Sequence, residues 1–274
     1  MPESGQASGA PIARTVSSSE AQATWGDARG GMRVPFVHGG GVAVHKHRRG
    51  HLVYPATGVL SIITESGTWI APSTRIAWTP AGFEHRHQAY GITDMRVLFL
   101  PSSLATRLPE RPAVFSVSPL AREAMLRLTP NTSDARLPAA QARLRTVIVD
   151  DLVEAPVEPL HLPEPHDDRL RELSDLLHAN PADNSTLVEL GRRVGASQRT
   201  LTRLFHEELG MGFRQWRTQL RLHLALVLLA DGHTVTYTAA SCGWANPTSF
   251  IEAFAAVLGR TPGHYRRPPD ASPS

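Results

Sequence analysis

The feature that most constrains this chain is an internal repeat. The stretch "SQRTLTRLFHEELG" (197–210) aligns with "NPTSFIEAFAAVLG" (246–259) at an offset of 49 residues. Ser197 and Asn246 are residue types whose side chains cap a helix start, and Gly210 and Gly259 stand where helices end in a left-handed residue. Between the caps, Leu201, Phe205 and Leu209 match Phe250, Phe254 and Leu258, one apolar stripe per copy at helical spacing. A shorter helical stretch precedes each copy, "TLVELGRR" and then "VTYTAAS". Helix, tight turn and second helix with a polar outer face is the helix-turn-helix pattern. Between the copies, "FRQWRTQLRLHLALVLLADG" reads as one connecting helix of roughly 17 residues by its caps.

The ordered set "LGRRVGASQRTLTRLFHEELG", "RLHLALVLL", "CGWANPTSFIEAF" and "LGRTPGHYR" resembles the DNA-binding domain of AraC-type transcription regulators, over about residues 182–267. The resemblance implies double-stranded promoter DNA as the partner, with the second helix of each unit in a major groove. Arg199, Thr202, Arg203 and His206 fall at i, i+3, i+4 and i+7, on the face opposite the apolar stripe. Arg can bond guanine bidentately, and Thr can bond a base or touch a thymine methyl. Gln198, near the helix start, is placed to reach an adenine or a phosphate. The second copy is chemically different. Asn246 and Thr248 open it, Ile251, Glu252 and Ala255 follow, and no Lys or Arg occurs from Leu222 to Gly259, where AraC-type domains usually carry basic residues. Glu252 can accept from a cytosine amino group but repels phosphate. Ile251, Ala255 and Ala256 are expected to be exposed. Charge follows the same division. The formal net charge is +3, the 182–267 segment holds ten Arg against six acids, and Lys46 is the sole lysine. A solvated surface is the alternative reading of so small an excess.

Residues 31 to about 100 alternate in short apolar runs ("GVLSIIT", "TWIAP", "RIAWTP", "MRVLFLP") separated by turn signals, as a barrel or sandwich does. Within them, "GGGVAVHKHRRGHLVYPATG" places Gly39, His45, His47, His51 and Gly58 at spacings that, with Pro80, Gly82 and His85 of "PAGFEH", resemble the two motifs of cupins. The resemblance implies a small β-barrel whose metal ligands are His45, His47, His51 and His85. His51 stands where a glutamate is usual, and Thr74 and Ala89 depart from the second motif. Imidazoles suit Zn, Ni, Co or Cu better than oxygen-seeking ions. Three readings stay open: a divalent transition-metal site, a metal-free polar pocket for an organic effector, and structural histidines. His38 and His87 are expected at the surface, and Trp69 and Trp78 in the core.

Residues 119–128 and 138–154 show helical spacing and are candidate dimerisation elements, or they pack on their own barrel. "APVEPLHLPEPHD" carries four prolines and reads as a linker. The expected order is a disordered tail (1–30), a cupin-like sensor domain with helical extension (31–155), a Pro-rich linker (156–166), an AraC-type DNA-binding domain (167–267) and a tail (268–274). The fold class is α+β, a cupin-like β-barrel followed by an all-α domain with two helix-turn-helix units. No run reaches the roughly 18 apolar residues of a membrane span, the N-terminus lacks a signal-peptide core, and Cys242 is the only cysteine. These point to a cytoplasmic protein with no membrane partner. The reading is a transcription regulator, not an enzyme, that senses a metal ion or small effector and can form a homodimer. The alternative is a metal-dependent cupin enzyme with a helical DNA-binding appendage, for which the carboxylate ligand of oxygen-activating sites is missing at His51.

Overall fold

The computed structural model describes residues 14–25, 30–130, 139–157 and 160–266. The N-terminal half is rich in strands: β1 (Thr15–Val16), helix α1 (Ser18–Trp25), then β2 (Gly31–Phe36), β3 (Gly41–His45), β4 (His51–Pro55), β5 (Val59–Thr64), β6 (Gly67–Pro72), β7 (Arg75–Thr79), β8 (His85–Tyr90) and β9 (Thr93–Phe99). Helix α2 (Ser102–Ala105), β10 (Ala113–Ser116), α3 (Pro119–Leu128) and α4 (Ala139–Glu154) complete it. β11 (His161–Pro163) leads into an all-helical half: α5 (Asp168–Ala179), α6 (Leu187–Arg193), α7 (Gln198–Leu209), α8 (Phe213–Ala230), α9 (Val235–Ser241), α10 (Pro247–Leu258) and α11 (Pro262–Tyr265).

The strands form two sheets, ordered β1-β3-β8-β5-β6-β11 and β10-β7-β4-β9-β2. No ladder joins one sheet to the other among the described residues, so the domain is an open sandwich, one of the two architectures the strand pattern allows, and not the closed barrel that the cupin resemblance implies. Alternation along a strand fixes which face each residue takes but not which strand its edge pairs with, so closure is invisible in the sequence. Where both faces are covered, alternation disappears. All five residues of β4 are buried. Val53 joins the core between the sheets, while Leu52 and Tyr54 pack outward with Ile76, Trp78, Leu98 and Phe115 beneath α3 and α4. Ile148, Val149 and Leu152 of α4 belong to that same outer layer, so its apolar stripe is buried on its own sheet.

Two expected loose segments are built into the fold. Within the expected tail (1–30), β1 pairs in parallel with β3, and Val16, Ala21 and Trp25 are buried. Their apolar side chains sit at spacings that let one short strand and helix cover the sheet edge. Residues 1–13, 26–29 and 267–274, which hold the rest of both tails, lie outside the described residues. Within the expected linker (156–166), β11 adds an antiparallel strand to β6. There the His161 ring stacks on Trp69 at 3.9 Å, and its Nε2 bonds the Ser66 carbonyl at 3.2 Å. Proline removes a donor but is tolerated on an edge strand, which is where Pro163 sits.

Helix α8 joins the halves. Its 18 residues span about 27 Å at 1.5 Å per residue. Leu222, Ala225, Leu226 and Leu229 share one apolar core with Leu60, Ile62 and Trp69 of the sandwich and with Phe250 and Phe254 of α10. Polar contacts close the seam. Thr74 Oγ1 and Tyr265 Oη are 2.8 Å apart, Arg75 donates to the Val257 carbonyl at 3.5 Å, and His38 Nδ1 lies 2.5 Å from Asp231 Oδ1. Gly91 sits at φ +67°, where a Cβ would come 2.5 Å from the Ala230 carbonyl oxygen. Gly91→Ala is therefore expected to lower the unfolding free energy by about 1–3 kcal/mol, from backbone strain and from the displaced end of α8. Denaturant titration checks this, and an unchanged midpoint with an unchanged slope contradicts it.

Candidate functional site

Five histidines converge between the sheets. β3 contributes His45 and β4 contributes His51, the loop joining those strands carries His47, and β8 contributes His85 and His87. Residues two apart on a strand share a face, so His85 and His87 both point inward while Arg86 between them is exposed. All five are buried, and adjacent rings lie 4.3 Å (His45–His85) to 4.9 Å (His85–His87) apart. The nitrogens form two overlapping triads, His45–His85–His87 and His47–His51–His85, within each of which the donor atoms lie within 4.8 Å of one another. The four histidines picked out by the cupin-like spacing are thus brought together. His87, expected at the surface, joins them as a correction: the same period of two that orients His85 orients it. His38 is mostly exposed and stays outside the cluster.

Backbone carbonyls orient two of the rings. His45 Nδ1 lies 2.7 Å from the Ala43 oxygen and His85 Nδ1 2.9 Å from the Phe83 oxygen. A carbonyl only accepts, so each Nδ1 carries the proton and each Nε2 keeps its lone pair for the cluster. His47 Nδ1, both ring nitrogens of His51, His85 Nε2 and His87 Nδ1 are buried without a hydrogen-bond partner among the described residues. Burial is the main cause that lowers all five pKa values. His47 falls to about 4 and His85 to about 3, with the charge of His45 adding to each, and His51 and His87 lie well below the ordinary value. The rings are therefore neutral at pH 7, the form that ligates metals. The triads hold imidazoles alone. Glu84 is exposed and pairs with Lys46 at 3.1 Å, outside the cluster. Cys242 is buried, and burial pushes its thiol up to about 12, which keeps it protonated.

In the helical half, each unit is built with the same devices. Thr186 caps α6 in a capping box with Glu189, Ser197 accepts from Thr200 N at 3.1 Å to cap α7, and Gly210 ends α7 at φ +66°. In the second unit Thr234 caps α9, Asn246 accepts from Ser249 N at 2.8 Å to cap α10, and Gly259 ends it at φ +73°. Gln198, Arg199, Thr202, Arg203 and His206 are all exposed on α7, opposite buried Leu201, Phe205 and Leu209. Arg203 is ion-paired with Glu207. On α10, Thr248 and Glu252 are exposed, while the Asn246 side chain is occupied by its cap. Ile251 and Ala255, expected to be exposed, are half-buried, and Ile251 packs on the core. The α10 helix is apolar over more of its circumference than a two-turn stripe requires. Counting arginines also overstated the free charge. Arg221 is buried in α8, where it bonds the carbonyls of Pro181, Asp183 and Gly243, and Arg217 bonds the Ser185 carbonyl at 2.9 Å.

Comparison with known proteins places these features in a family. A helix-turn-helix domain model matches residues 190–268. The HTH-type transcriptional regulator NimR of Escherichia coli is 34% identical over 222 residues, covering 81% of each chain. A Streptomyces lividans protein described as an AraC-like transcription regulator is 34% identical over 94 residues, 34% of this chain and 31% of that one. A crystal structure of a regulator with an AraC-type DNA-binding domain from Chromobacterium violaceum aligns at 27% identity and a TM-score of 0.35, over 39% of this chain and 95% of that one. The chain belongs to the AraC family of HTH-type transcriptional regulators. None of its described helices is long and apolar enough to cross a membrane.

The buried imidazoles make stability depend on pH with a definite sign. His47 and His85 titrate near 4 and 3 when folded, and His223, buried in α8, near 3 because of burial and then the charge of His161. An unfolded imidazole titrates near 6.5. Between these values the unfolded chain binds more protons than the folded one, so stability is full above about pH 6.5 and falls as pH drops toward 4. The urea midpoint is expected to decline steadily from pH 7 to pH 5. A flat profile over that range contradicts the neutral, buried assignment.

Proposed function

We propose that this transcription regulator senses a divalent transition-metal ion, Zn, Ni, Co or Cu, through a cupin-like N-terminal domain, and that its two helix-turn-helix units read promoter DNA unequally. The observation that carries the metal reading is the set of buried ring nitrogens without partners. Each such atom costs about 1–3 kcal/mol, so packing alone is a poor reason to gather five imidazoles. An ion held by three of them, with a position left for water or an organic effector, takes up as many as three of the five orphaned nitrogens and suits nitrogen donors. The absence of a carboxylate from either triad is the observation against the enzyme alternative. The seam at Thr74, Arg75 and Gly91 supports a route from sensor to reader, because those sandwich residues touch the end of α8 and the α10–α11 corner directly. The stripe of α4 is spent on its own sheet, so a homodimer through this layer would use exposed Leu120 and Val153.

The two triads share His85, which orders the variants. His85→Ala breaks both triads and is expected to abolish binding of about one metal ion per chain. His45→Ala leaves His47, His51 and His85, and His47→Ala leaves His45, His85 and His87, so each should retain a weaker site. Elemental analysis of tag-free protein and zinc titration by calorimetry check this. Wild-type protein that neither carries nor takes up any of the four metals overturns the reading.

For DNA, α7 is the stronger head, because Arg199 and Arg203 lie exposed on it and α10 offers Glu252 instead. Arg199→Ala or Arg203→Ala should cost about 1–3 kcal/mol if the residue holds a guanine, with relaxed preference at that base pair. Glu252→Ala removes a repulsion and should slightly tighten non-specific binding. Titrations at several salt concentrations on base-substituted operators separate these effects. A Glu252→Ala loss equal to that of Arg203→Ala would show that charge does not rank the heads.

A further inference from the structure

The loop between β3 and β4 faces two ways. At its ends, His47 and His51 turn inward to the histidine cluster and pack against Phe99, with ring centroids 5.0 and 5.4 Å away. Between them, Arg48, Arg49 and Gly50 line an open groove of about 880 Å³ on the other side of the loop. Its apolar lining includes Phe83, which is half-buried, and Trp78, Leu100 and Leu108, which are buried. Its parts are fixed. Trp78 Nε1 donates to the Pro109 carbonyl at 2.8 Å, and Gly50 lets the indole lie against the loop, where a Cβ would come 2.1 Å from the ring. Backbone bonds from Gly82 N to His47 O and from Leu100 N to Gly50 O, both 2.9 Å, pin the loop at each end.

The charge on this groove is positive at one place. Arg49 is half-buried, with no carboxylate in ion-pair distance among the described residues. Arg145 of α4 is buried within electrostatic range of it, and burial together with the charge of Arg49 lowers Arg145 to about 10. Glu84 and Asp150, which do not line the groove, pair with Lys46 and Arg107. Glu110 lines the groove and is exposed. A guanidinium beside apolar side chains matches a carboxylate carried on an aromatic body.

We infer that this groove is a second effector site, outside the sandwich, for a small aromatic carboxylate held by Arg49 against Phe83, and that its occupancy is coupled to the histidine cluster through the loop they share. The coupling, though not the groove, rests on the metal reading above. Its sign follows from charge: cationic Arg49 disfavours a metal ion a few residues away, and an anion bound to it offsets that repulsion. Linkage then requires that the ion favour the anion by the same factor.

The test is calorimetry on the full chain with 2-naphthoate, with uncharged 2-naphthamide as control. Naphthoate is expected to bind at least tenfold more tightly than the amide. Arg49→Gln should remove that preference, and Arg49→Lys should keep part of it, which separates lost charge from a misfolded loop. Saturating naphthoate should tighten zinc binding at least threefold. No naphthoate binding, or equal binding of acid and amide, overturns the site, and zinc affinity unchanged by naphthoate overturns the coupling. His85→Ala protein, which lacks the shared ligand, should still bind naphthoate. Naphthoate binding by wild-type protein that takes up no zinc means the metal reading has failed while the groove stands.

Discussion

The structure depends on α8 having an apolar surface on more than one side. Ten of its residues are buried, among them the polar Gln219, Arg221 and His223. A helix of a soluble protein needs only one apolar stripe to pack on one neighbour. This one packs on the six-stranded sheet at β5 and β11, on the first helix-turn-helix through Trp216 and Leu220, and on the second through Leu226 and Leu229. Without it the sheet and the two helix-turn-helix units would lose the element that all three pack on. The cost of burying Arg221 is met by carbonyl acceptors from both units, so a charged residue at the middle of α8 fixes the geometry between the two reading helices.

The sandwich solves a different problem. Its interior must accept five imidazoles, which are polar, while staying dry enough to pack Val53, Val97 and Phe99. Neutral rings stacked edge to face on one another and on Phe99 give most of their surface apolar neighbours. The unmet requirement is the nitrogen lone pairs, and it is confined to one spot. Burial drives the rings neutral and also leaves them under-bonded, so one physical cause sets both their protonation state and their demand for a partner.

Much of this was legible in the sequence, for identifiable reasons. Helix caps are local, so Ser197, Asn246, Gly210 and Gly259 gave the ends of α7 and α10 directly, and the 49-residue repeat doubled the signal. The histidine positions on β3, the loop and β4 were read from spacing. His87 was legible too, through its alternation with His85, but its place beside exposed Arg86 in a polar run, "HRHQ", resembles a surface strand. Sheet closure, the docking of β11 and the burial of Arg221 were not legible, because each depends on a partner more than thirty residues away. The half-burial of Ile251 has the same cause, because the side of α10 that carries it leans on a core built from distant parts of the chain.

Helix α1 has a consequence for time rather than affinity. It is eight residues long, too short to be stable alone, and is held by the burial of Ala21 and Trp25. The Trp25 ring lies 6.2 Å from that of His45, and the Trp25 backbone bonds His47. One wall of the histidine cluster is therefore a two-turn helix that owes its order to two buried side chains. Local opening of such an element is a low-energy excursion compared with global unfolding. For anything that exchanges across this wall, the clock is the fraying of two helical turns. An ion held there as proposed would leave at a rate set by the folding of a few residues.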